Sequence, residues 1–62
     1  MAEPLALEDL IKCAQRELAM RERVYPKRIS EGRMKETTAD HEINCMAAIL
    51  HLLQEKKEPT LL

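Results

Sequence analysis

Val24-Tyr25-Pro26-Lys27-Arg28-Ile29-Ser30-Glu31-Gly32-Arg33-Met34 is the stretch that decides the fold. It holds the only Tyr, the only Gly and one of the three prolines of the 62-residue chain, and it separates two long runs of helical periodicity. Pro26 disfavours α geometry at Tyr25, so a break or kink is expected at residues 24–26. Gly32 is a natural helix stop, because glycine takes the left-handed conformation of a helix C-terminus without steric cost. Between them, Lys27 to Glu31 has room for one more helical turn. That turn is either a separate short helix or a kinked continuation of the first.

Before the junction, Leu7, Leu10, Ile11, Ala14, Leu18, Val24 and Tyr25 fall mostly three and four apart, which is one face of an amphipathic helix. Pro4 suits a first turn, and Glu8 and Asp9 complement the dipole there. Arg21 interrupts the stripe. Its aliphatic stem can cover the face while its guanidinium reaches water, and Glu17 stands one turn away to pair with it. Helix 1 is expected over about 4–25 and the junction over 26–35. Beyond it, Ala39, Ile43, Met46, Ala47, Leu50 and Leu53 form the main stripe of a second helix over about 36–56. Cys45, Ile49 and Leu52 form a second apolar line beside it, wider than one neighbouring helix requires. Pro59 ends the helix, leaving 57–62 as a tail.

A chain of 62 residues makes one domain, and one short of core. With one Gly, no Phe or Trp, and a composition rich in Ala, Glu, Leu, Lys and Arg, it belongs to the all-α class. Two helices joined by a short junction fold back as an antiparallel helical hairpin. Such a hairpin has one seam and leaves apolar shoulders in water, here Cys13, Met20, Cys45, Ile49 and Leu52. Pairing two hairpins into a four-helix bundle covers them, so a homodimer is expected. The competing arrangement is a monomer with residues 26–31 packed over one shoulder.

The net charge of −1 conceals segregation: residues 1–15 carry −2, residues 16–35 carry +4 and residues 36–62 carry −3. This excludes a general polycation but leaves a basic middle. Arg21, Arg23, Lys27, Arg28, Arg33 and Lys35 gather at one end of the hairpin, where they suit salt-dependent phosphate contacts and Tyr25 suits stacking on a base. The same charges also favour a helix C-terminus on dipole grounds alone.

Chemistry is poorly supported. His41 and Cys45 are spaced i,i+4 and share a helix face, with Cys13 approaching from about the level of residue 48. A structural zinc site takes four ligands and no fourth is evident, because His51 lies about 80° further round the helix, so neither metal nor cofactor is expected. No nucleophile elbow, cysteine-protease signature or glycine-rich phosphate loop is present, and no enzyme activity is expected. The N-terminus lacks the basic start and apolar core of an export signal, and the longest apolar run, Cys45 to Leu50, is too short to span a bilayer. Two cysteines in such a chain suit free thiols and a cytoplasmic location.

The run Glu17-Leu18-Ala19-Met20-Arg21, Arg23-Val24-Tyr25-Pro26, Gly32-Arg33-Met34, Ala39, Glu42-Ile43 and Met46-Ala47-Ala48-Ile49-Leu50 resembles a family of short uncharacterised proteins of bacterial and prophage genomes. The resemblance covers residues 17–50 and implies no activity, ligand or site residue. It implies a Ser or Thr cap after the Gly-Arg-Met element, where this chain has Lys35. The functional expectation is a small non-catalytic interaction protein, phage-derived, that binds a protein partner through the surface of a helical dimer. Nucleic-acid binding at the junction is the runner-up.

Overall fold

The computed structural model describes residues 5–57, and within them the chain is two helices packed against each other with no strand: α1, Leu7–Ser30, and α2, Glu36–Lys57. The expected all-α hairpin is the observed architecture. Pro4, Pro59 and Thr60-Leu61-Leu62, to which the sequence assigns end and tail roles, lie outside the described residues. Lys57 closes α2 and is not part of a tail.

Helix α1 starts at Leu7, later than the expected residue 4. Ala6 is its N-cap in extended geometry, with no side chain capping the free amides. Glu8 and Asp9 in the first turn supply the compensating negative charge. Of the break or kink expected at 24–26, the break is absent: α1 runs through Pro26 to Ser30, so residues 27–30 continue the first helix. The exposed face explains the tolerance. Pro26 and Glu22 are both exposed, so the Glu22 carbonyl that would have met an amide at residue 26 has solvent beside it. Residues 26–30 are therefore a continuation of α1, and no separate third helix covers a shoulder of the hairpin.

Gly32 ends α1 as expected. Its φ is +74°, its amide donates to the Ile29 carbonyl at 3.0 Å, and the Arg33 amide donates to the Arg28 carbonyl at 2.8 Å. This pair of reversed bonds is a Schellman motif, which satisfies carbonyls the helix end would otherwise orphan. A Cβ built on Gly32 meets nothing within 4 Å, so glycine is needed there for its backbone freedom and not for space. Three residues separate Gly32 from the start of α2. Lys35 stands at the cap position and accepts the Ala39 amide through its carbonyl at 3.0 Å, but its side chain has no oxygen to cap with. Glu36 supplies the first-turn negative charge instead.

Two links set the register of the hairpin. Near the turn, Arg21 reaches the Glu42 carbonyl at 2.8 Å, and at the open end Lys57 lies 3.7 Å from Glu8. Counting from these links brings Tyr25 level with Ala39, Leu18 with Met46, and Ala14 with Leu50. At two of these three levels a small side chain stands beside a large one, Ala39 beside Tyr25 and Ala14 beside Leu50. The core is thin. Among the described residues only Ile11, Ala14, Tyr25 and Ala39 are buried, two of them alanines, so one hairpin removes little apolar surface from water.

Candidate functional site

The two broad faces of the hairpin differ in character. At about 100° per residue, Leu10, Cys13, Glu17 and Met20 fall on one flank of the α1 seam stripe, and Glu42, Cys45, Ile49 and Leu52 fall on the corresponding flank of α2. Because the helices are antiparallel, both flanks lie on the same side of the hairpin. Two contacts bear this out. Arg21 bonds to both Glu17 and Glu42 on this side, while Gln15 and Gln54 line one shallow cleft of about 300 Å³ on the opposite side, together with Ile11 and Lys57.

The first side is mostly apolar, with Glu17, Arg21 and Glu42 as its charged members. Leu10, Ile49 and Leu52 are 37%, 47% and 60% exposed, Cys13 and Cys45 are exposed free thiols, and Met20 is half-buried. The expected shoulders, Cys13, Met20, Cys45, Ile49 and Leu52, therefore share a single face. The opposite side carries Glu8, Lys12, Gln15 and Glu22 from α1, with Asp40, Asn44, His51 and Gln54 from α2, all exposed.

Arg21 sits at the rim of the apolar face and is the main polar tie across the seam. Its Nε donates to Glu17 Oε2 at 2.9 Å, its Nη1 donates to the Glu42 backbone carbonyl at 2.8 Å, and Nη1 lies 3.6 Å from Glu42 Oε1. The bond to Glu17 raises the Arg21 pKa above its already high ordinary value; desolvation is the next effect and opposes it, and Tyr25 and the Glu17 and Glu42 carboxylates add smaller increases. The expected pairing with Glu17 is present. The guanidinium, however, crosses to α2 and does not simply end in water, since it meets the Glu42 carbonyl there at 2.8 Å.

The basic junction is smaller than its sequence suggests. Arg21 is engaged in the seam. Tyr25 is 8% exposed, with the Arg28 guanidinium 5.6 Å from its ring centroid, so it has no free face for a base. The assignment of Tyr25 as a stacking residue is corrected accordingly: level with Ala39, its ring fills the space that alanine leaves. Arg33 lies 3.5 Å from Glu31. Arg23, Lys27, Arg28, Arg33 and Lys35 remain exposed around the turn.

The thiols also differ from expectation in one respect. The register puts Cys13 level with residues 50–52 and not with 48, about 9 Å along the axis from Cys45. Cys13 Sγ accepts from Arg16 Nη2 at 3.3 Å, whereas Cys45 Sγ lies 3.5 Å from His41 Nε2. Among the described residues no three His, Cys, Asp or Glu side chains converge as ligands within one chain, and no helix is long and apolar enough to cross a membrane. Compared with protein-family models, curated proteins and solved structures, the chain matches none of them.

Proposed function

We propose that this chain is a small non-catalytic interaction protein that works in the cytoplasm as a homodimer of hairpins and engages a protein partner through the dimer's surface. One observation carries the reading: among the described residues the hairpin buries four of its own, while Leu10, Cys13, Met20, Cys45, Ile49 and Leu52 line a single face. A second copy closing on that face makes a four-helix bundle, in which each apolar flank gains a partner of its own kind. Methionine and leucine on such a surface adapt readily to a contacting helix. A phage origin is what the resemblance of residues 17–50 to short proteins of bacterial and prophage genomes implies.

The test replaces Ile49 and Leu52 together by glutamate. Together with their counterparts across the two-fold axis, their exposed fractions amount to about 4 kcal/mol of burial at roughly 1.5–3 kcal/mol per fully buried side chain. That is about a thousandfold in the dimer dissociation constant. Sedimentation velocity of wild type and variant over one concentration range should show the association constant falling by about that factor. Equal association in both would end the proposal for this face.

A second reading rests on the five exposed cations around the turn, Arg23, Lys27, Arg28, Arg33 and Lys35, which a dimer would present twice. If they hold nucleic acid, fluorescence anisotropy with single- and double-stranded oligonucleotides will show binding that weakens steeply with salt and disappears when Arg23, Lys27, Arg28 and Arg33 are neutralised. Absence of salt-sensitive binding at low ionic strength removes this reading.

A further inference from the structure

The pair His41–Cys45 has the geometry of half a metal site. The Cys45 sulfur and the His41 Nε2 lie 3.5 Å apart on one exposed stretch of α2. Zinc at about 2.3 Å from sulfur and about 2.05 Å from nitrogen, with a tetrahedral angle between them, sets its two ligand atoms about 3.5 Å apart. The pair thus has the separation of two zinc ligands with no change of rotamer. One chain cannot finish the coordination, since no third ligand converges among the described residues and Cys13 stands about 9 Å away along the axis.

We propose that two copies of this chain share one zinc ion, held by His41 and Cys45 of each across the dimer two-fold axis. The inference rests on the homodimer of the reading above but joins the copies through α2 alone. The α1 flank of Leu10, Cys13 and Met20 therefore stays open, unlike in a bundle closed over the whole face. His41, Cys45, Ile49 and Leu52 run along one side of α2. With the two-fold axis parallel to α2, each of these residues faces its own counterpart, so the metal ligands and the apolar residues come into register together. An antiparallel pairing centred on the same ligands would instead set Ile49 opposite Thr37 and Leu52 opposite Met34, beyond the start of α2 at Glu36. Two imidazoles and two thiolates complete a tetrahedron, the set that structural zinc takes. As each Zn–S bond forms, the Cys45 thiol releases its proton to solvent, and His41 binds as the neutral ring.

The experiment uses the reduced, full-length chain, first in chelator and then titrated with zinc, with bound metal and sedimentation mass read on the same samples. Cobalt(II) serves as the spectroscopic probe. The expected result is one metal per two chains, with thiolate-to-cobalt charge transfer and the visible bands of tetrahedral cobalt. Cys13→Ser should bind as wild type does, while His41→Ala and Cys45→Ser should each lose about tenfold or more in affinity. One metal per chain, no metal, or unchanged binding in Cys45→Ser overturns the site. A dimer in chelator that takes up no zinc overturns the metal site and leaves the dimer standing. A chain that stays monomeric with and without zinc overturns both.

Discussion

Gly32 gives the most sharply defined perturbation of the hairpin, because its backbone and its surroundings make separate statements. Its φ of +74° is a conformation that an L side chain enters at a cost of about 1–2 kcal/mol. The Cβ of an L residue there touches nothing within 4 Å, so no packing term enters for L-alanine. Replacing glycine by alanine also restricts the unfolded chain, which is worth about 0.4–1 kcal/mol in favour of folding. L-alanine at position 32 should therefore destabilise by about 0.5–1 kcal/mol net. D-alanine, which prefers positive φ, should stabilise by about 0.4–1 kcal/mol. The two variants are separated by about 1.5 kcal/mol, or roughly 6–12 °C in melting temperature for a chain of this size. A chain of 62 residues is within reach of chemical synthesis. Circular dichroism at one fixed protein concentration compares the two without a shift from association. If L-alanine melts with or above the glycine protein, or D-alanine melts below it, the Schellman turn does not close the hairpin as described.

Three further substitutions test other parts of the fold. Ile11→Ala truncates one of the four side chains buried among the described residues and should cost about 2 kcal/mol or more, seen as a large loss of helicity at 37 °C. Pro26→Ala restores an amide to the Glu22 carbonyl within an unbroken helix and should raise the melting temperature, where loss of stability would show that proline is needed for the turn. Arg21→Lys keeps the charge but offers one ammonium where a planar fork serves Glu17 and the Glu42 carbonyl, so it should lower the melting temperature. Since the Arg21 pKa is raised, its contribution is complete at all lower pH values and is lost only as pH climbs through a value above the ordinary arginine range. Melting temperatures near neutral pH should accordingly show no step from this group.

Periodicity and turn chemistry carried most of the fold. The stripes Ile11, Ala14, Leu18 and Ala39, Ile43, Met46 identify the seam, and Gly32 identifies the end of α1, because each is a local property of the chain. Pro26 misled the placement of that end. Its effect depends on whether the carbonyl four residues back faces solvent, which only the packed hairpin reveals. Arg21 misled in the opposite direction: its position on the apolar stripe shows a partner one turn away but not the Glu42 carbonyl on the other helix. The same limit applies to the junction, where Tyr25 reads as an available ring until Ala39 is found level with it. That the two apolar shoulders share one face follows from helix phase combined with antiparallel register, and the register needed the Arg21–Glu42 and Glu8–Lys57 links. For the His41–Cys45 pair, the spacing placed two ligands together, while their separation and the want of a third came from the structure.

The dimer is the claim on which the functional reading depends. Sedimentation equilibrium of the full-length chain at micromolar concentration tests it most directly, run once in chelator and once with zinc. The account predicts a mass near twice 7.2 kDa. A mass that stays at 7.2 kDa under both conditions contradicts it.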